Sequence, residues 1–160
     1  MNSTILGHRR RILPALVLGA LIAFGGALGL RAQDETKIPD AVREKISLAG
    51  GHHNLALLLA KKGDADSAAA EARKIIELRL PPEHELRVAK SMTIIAEKLG
   101  ETRKFDVAQD LLDDALKSLV EGSKNRAMLL LAKARLYMQA GDDDKAIELY
   151  KKAFEPGARR

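Results

Sequence analysis

The sequence predicts an all-α chain: three stacked antiparallel helical hairpins forming an α-solenoid, preceded by an N-terminal apolar export helix. Three observations carry this. The composition is 46% apolar and 31% charged but only 3% aromatic, and Ala, Leu, Lys and Glu favour helix where aromatic and β-branched residues favour strand. A long uncharged run, residues 12–30, stands close to the N-terminus. Beyond it, segments of helical apolar spacing are separated by five pauses rich in Gly, Pro and capping residues. A chain of 160 residues has room for one domain with a real core, and not comfortably for two.

The uncharged run reads ILPALVLGALIAFGGALGL. At ~1.5 Å rise per residue it extends about 28 Å as a helix, close to the ~30 Å hydrocarbon core of a bilayer. It has no polar face, as a helix in a soluble core would have. Arg9, Arg10 and Arg11 precede it, and Gln33, Asp34 and Glu35 soon follow. The positive-inside rule therefore leaves the N-terminus in the cytoplasm and sends the rest across a bacterial inner membrane. Residues 1–32 read equally as a signal anchor or as a cleaved signal peptide. The run is longer than the usual ~7–15 residues of a secretory apolar region, yet Ala27-Leu28-Gly29 supplies small residues at a cleavage site. The arginine run also resembles a twin-arginine signal, although it lacks that family's Phe and following Lys.

The same segment explains the basicity. Residues 1–32 contain four of the 27 Lys and Arg and no acid, so the remaining 23 face 22 acids and the formal +5 nearly vanishes. A surface for phosphates needs far more asymmetry, which excludes a nucleic-acid partner. No Cys is present, which removes disulfides, thiolate metal sites and cysteine nucleophiles together.

A linker, 33–39, leads into the helical domain, 40–156, and a tail, 157–160, follows. Asp40 after Pro39 is a candidate N-cap for the first helix. The chain then pauses at Gly63-Asp64, Leu80-Pro81-Pro82, Gly100-Glu101-Thr102, Glu121-Gly122-Ser123 and Gly141-Asp142. This divides the domain into units at about 40–80, 84–120 and 124–156. The second helices align as GDADSAAAEARKIIEL (63–78), RKFDVAQDLLDDALKS (103–118) and GDDDKAIELYKKAFEP (141–156). Ala68, Ala108 and Ala146 share one position; Ala72, Leu112 and Tyr150 another; Ile75, Ala115 and Ala153 a third. In the first helices, His52, Leu55, Ala56 and Leu59 match Met92, Ile95, Ala96 and Leu99, then Leu130, Lys133, Ala134 and Tyr137.

This pattern resembles the tetratricopeptide repeat. The third unit carries it best, with Ala134, Tyr137, Gly141-Asp142, Ala146, Tyr150 and Ala153 on motif positions and Lys133 where the family has Leu. The first unit keeps Gly63-Asp64 without the aromatics, and the second has Arg103 at the turn glycine. Small residues at 134, 146 and 153 allow the two helices of a hairpin to approach closely. Hairpins that cannot bury their apolar faces alone do so by stacking.

The resemblance implies that the first helix of each unit lines a concave surface where a peptide or protein partner lies. On matching positions that groove presents His53, Leu57 and Lys61, then Lys90, Thr93 and Glu97, then Met128, Leu131, Arg135 and Met138. It lacks the Lys and Asn set by which chaperone-binding members hold a C-terminal carboxylate. On the last helix Ile147, Tyr150 and Phe154 share a face expected to pack inward on 127–140, with Leu149 poorly covered. An uncapped last repeat is a place for self-association.

No catalytic, cofactor or metal site is expected. Adjacent His52 and His53 point about 100° apart on a helix, unlike the paired ligands of a metal site. Asp142-Asp143-Asp144 lacks the alternation and Gly of a calcium loop, and Asp142 reads as an N-cap. No nucleophile elbow, P-loop or zincin motif occurs. The expected function is an exported, non-enzymatic interaction module of the cell envelope, anchored in the membrane through 12–30 or released. The alternative is an assembly subunit that oligomerises through its last repeat.

Overall fold

A computed structural model of the chain describes residues 38–120 and 122–155. The leader, most of the linker and the tail lie outside the described residues. Six helices follow in order: α1 (Asp40–Lys61), α2 (Ala65–Glu77), α3 (Glu85–Glu101), α4 (Phe105–Ser118), α5 (Arg126–Ala140) and α6 (Asp143–Phe154). A single 3-10 turn, Pro82–His84, leads into α3, and there is no strand among the described residues. No described helix is long and apolar enough to cross a membrane.

The three hairpin turns share one geometry, which establishes the repeat independently of composition. Gly63, Arg103 and Gly141 adopt φ of 83°, 59° and 85°. The next amide in each turn, of Asp64, Lys104 and Asp142, donates back to the carbonyls of Leu59, Leu99 and Tyr137 at 3.0, 3.0 and 2.9 Å. That wide backbone bond, with a left-handed residue inside it, is how a helix end satisfies its orphan carbonyls. Gly takes such a φ without strain, so of the three turns only that at Arg103 forces a side chain into it. Asp64 and Asp142 then cap the following helices, their carboxylates accepting from Ser67 N and Lys145 N at 3.2 and 3.1 Å. Lys104 has no acceptor to offer and makes no such cap.

Packing between hairpins follows the order of a stack. Helix α1 packs on α2 and α3, α2 on α3 and α4, and α3 and α4 on α5. One continuous core runs through all of them. Ala56, Ala60, Ala68, Ala72, Ala89, Ala96, Ala108, Ala115 and Ala132 form its tight seams, with Ile75, Met92, Ile95, Leu99, Leu111, Leu112, Leu129 and Leu136 filling the spaces. Helix α3 comes close to α5 at Gly100, where an added Cβ would lie 2.6 Å from Leu136 Cδ2. Ala134, Ala146 and Ala153 are buried between α5 and α6 as their small size requires.

Two expectations are corrected. Asp40 is the first helical residue of α1, and Pro39 stands at the cap with no side-chain bond. The Pro39 carbonyl accepts from Val42 N and Arg43 N instead. On α6 the seam with α5 runs along Ala146 and Ala153, which permit close approach. This turns Ile147 and Phe154 outward, 51% and 58% exposed, and leaves Leu149 and Tyr150 half-buried. Helix α6 packs on α5 alone.

Lys133, the departure from the family pattern, keeps its place by a different chemistry. Its side chain is only 11% exposed, and its ammonium donates to Asp113 on α4 while lying 5.8 Å from the Tyr137 ring centre. The aliphatic stem fills the position of a Leu, and the head finds a carboxylate.

Candidate functional site

The first helices of hairpins 1 and 2 leave an open groove of about 620 Å³ between them. Asn54, Leu57, Leu58 and Lys61 of α1 form one wall, and Ile94, Glu97, Lys98 and Glu101 of α3 the other. Each set is one helical face, with spacings of three, four and seven that bring residues to the same side. The groove is apolar at its centre, where Leu58 is 59% and Ile94 47% exposed.

Of the residues placed on the concave surface by sequence, Leu57, Lys61 and Glu97 meet in this groove. Arg135 of α5 reaches it through an ion pair with Glu97. Lys90 is exposed on α3, one turn before Ile94. His53 is half-buried, its Nδ1 sharing a hydrogen bond of 2.6 Å with the Ser91 hydroxyl. Thr93 is buried in the stack, and its hydroxyl has no hydrogen-bond partner. Met128 packs on the core, Leu131 is half-buried, and Met138 is exposed; none of the three lines the groove.

Leu58, Ile94, Lys98, Glu101 and Asn54 belong to the groove and were not among the residues read from the motif. The motif offsets placed Thr93 outward on α3, whereas the α1–α3 crossing turns Ile94 outward and Thr93 inward. The spacing 90, 94, 97, 101 carries the signal, since it marks one face as well as 90, 93, 97 does.

Ser91 and His53 bring a serine hydroxyl and an imidazole together, and burial lowers the His53 pKa, favouring the neutral imidazole. Ser91 lies inside α3, however, where neighbouring N–H groups are committed to the helix ladder. An acyl-transfer site needs free donors for the oxyanion, and the α3 backbone beside Ser91 presents none. His52 turns the other way, its Nδ1 lying 2.7 Å from Glu71 Oε2 on α2. Glu71 also accepts from Lys74 at 2.6 Å. Hydrogen bonds from Lys74 and then His52 hold its carboxyl below the usual range. Among the described residues no three His, Asp or Glu are grouped to hold a metal.

A second polar cluster sets the third hairpin against the second. The Glu85 carboxylate, at the start of α3, accepts from Val120 N at 2.9 Å, Ser123 Oγ at 2.5 Å and Asn125 Nδ2 at 2.8 Å. Burial pushes its pKa up, but the three donors together outweigh this and bring it below the usual carboxylate range. Ser123 and Asn125 are buried, so this carboxylate organises the connection into α5.

The tetratricopeptide repeat family model matches residues 49–80 and 129–155. These are the hairpin of α1 and α2 and that of α5 and α6, the two with Gly-Asp turns. No curated protein matches the chain.

Proposed function

We propose that the chain is a non-enzymatic interaction module that binds a peptide or protein partner along its concave helix face, in the cell envelope. The observation that carries this is the open, apolar-centred groove between α1 and α3, on a stack whose first and third hairpins match the tetratricopeptide repeat. Fold alone does not assign a partner. Export rests on the pattern of residues 1–32, an apolar run behind three arginines, which makes the module extracytoplasmic and either anchored or released.

A photo-crosslinking amino acid introduced at Leu58 or Ile94 in cells is expected to trap a discrete protein adduct. The same group at exposed Ala70 on α2 is the control. Identical adducts at both places, or none at the groove positions, would remove the groove from consideration. A reporter enzyme active only outside the cytoplasm, fused after the full chain, tests export.

A second reading is self-association through the last hairpin, favoured by α6 packing on α5 alone and by Ile147 being 51% exposed. Sedimentation of the full chain decides it: a concentration-dependent dimer lost on Ile147→Glu supports it, and a monomer throughout rejects it.

A further inference from the structure

The groove between α1 and α3 carries charged as well as apolar side chains. Four ionic side chains line it: Lys61, Glu97, Lys98 and Glu101. Three are already engaged within the protein, Glu97 with Arg135 and Lys98 Nζ with Glu101 at 2.5 Å. Lys61 alone of the four has no ionic partner among the described residues, although it lies in the same groove as Glu101. The two occupy equivalent places in successive hairpins, each ending the first helix of its unit. An incoming cation would have to break an existing pair to reach Glu97 or Glu101. An incoming anion meets a free ammonium.

The apolar part is small and local. Leu57, Leu58 and Ile94 stand side by side, within one to two turns of Lys61 along the groove. A volume of about 620 Å³ falls in the ~300–1,000 Å³ range of sites for small ligands, which suits a few side chains and not a folded domain. Exposed Lys90, on the same face of α3 and toward the other end, adds positive charge with no ionic partner among the described residues.

We infer that this groove takes a short peptide segment in which neighbouring apolar side chains are followed or preceded by an acidic one. The apolar pair sits on Leu57, Leu58 and Ile94, and the carboxylate meets Lys61. The inference rests on the groove reading proposed above and names the partner's chemistry. Charge supplies the selection: an exposed pair contributes only ~0.2–1 kcal/mol, so affinity comes from the apolar contact and discrimination from Lys61.

The test is selection of random dodecapeptides displayed on phage against the purified full chain, followed by fluorescence anisotropy of the enriched peptides. Enriched sequences are expected to carry two neighbouring apolar residues with an Asp or Glu beside them. Leu58→Glu and Ile94→Glu should abolish their binding. Lys61→Glu should weaken it about tenfold, through loss of one pair and gain of a like-charge contact, and selection against this variant should turn to peptides carrying Lys or Arg. Helicity and melting of every variant are followed in parallel, with Lys61→Gln as the milder substitution. Peptides that need Leu58 and Ile94 but show no acid preference, or no response to Lys61→Glu, overturn the inference and leave the groove reading standing. No enrichment, or peptides indifferent to Leu58→Glu and Ile94→Glu, overturns both.

Discussion

Replacing Arg103-Lys104 by Gly-Asp should stabilise the stack by about 2 kcal/mol, half from each position. Arg103 holds φ 59° in a turn where its counterparts Gly63 and Gly141 hold 83° and 85°. A side chain in the left-handed region costs about 1 kcal/mol relative to Gly there. Lys104, at φ −91° and ψ 55°, stands where Asp64 (−83°, 79°) and Asp142 (−99°, 73°) cap their helices. An Asp there would accept from Val107 N, as Asp64 accepts from Ser67 N at 3.2 Å, and such a cap contributes ~1 kcal/mol. It would also replace a cation at the positive end of α4. Neither side chain forms an ion pair among the described residues, so little is given up. The middle hairpin packs on both neighbours, and its stabilisation is shared by the whole stack. In urea the midpoint should rise by roughly 1 M with unchanged slope. Thermal melting followed by circular dichroism should shift up by roughly 6–12 °C. Each single variant should supply about half, and the amide of Val107 should gain protection from hydrogen exchange with Lys104→Asp alone. An Arg103→Gly variant no more stable than the parent would refute the equivalence of the three turns.

Thr93→Val should stabilise by about 1 kcal/mol, because it removes a buried hydroxyl that has no partner while keeping the shape of the side chain; unchanged denaturation would mean that hydroxyl is satisfied in solution. Gly50→Ala, in α1 where an added Cβ meets nothing within 4 Å, should gain about 0.5–1 kcal/mol of helix propensity. Gly100→Ala should instead lose up to about 2 kcal/mol, since overpacking against Leu136 exceeds the same propensity gain. Glu85→Ala should destabilise by about 3 kcal/mol by leaving buried Ser123 and Asn125 without their acceptor. The Glu85 pKa is lowered in the fold, so its contribution is complete above the unfolded carboxylate pKa and is lost as pH falls through the lower folded value. The variant should therefore show a flatter acid limb in stability against pH.

The hairpin architecture was legible because its signals are local. Apolar spacing marks each helix, and Gly-Asp at 63–64 and 141–142 marks two turns whose backbone bonds the structure then shows. The Asp142 cap was read from its position alone, and Lys145 N donates to it. The missed details are those settled by neighbours. Asp40 looked like a cap, but Pro39 holds the backbone geometry of that place, and its carbonyl accepts the first helical bonds. On α6 the bulky Ile147 and Phe154 suggest the buried side by sequence, whereas the close seam belongs to Ala146 and Ala153.

The groove divides in the same way. The resemblance to the tetratricopeptide repeat implies that Leu57, Lys61 and Glu97 lie on the groove faces of first helices, and helical spacing carries that reading because a helix repeats every ~3.6 residues whatever surrounds it. The same resemblance marks Lys133 as a departure, where the family has Leu. Which side of each helix faces the groove depends on how α1 and α3 cross, and one residue along a helix is a rotation of about 100°. That crossing put Ile94 outward and Thr93 inward. Pairing likewise belongs to tertiary structure: only the approach of α4 to α5 gives Lys133 its Asp113, and only that of α3 to α5 gives Glu97 its Arg135. With Glu97 held by Arg135 and Glu101 by Lys98, Lys61 is the groove charge with no ionic partner among the described residues, because ion pairing is set by distances across the fold and not by order along the chain.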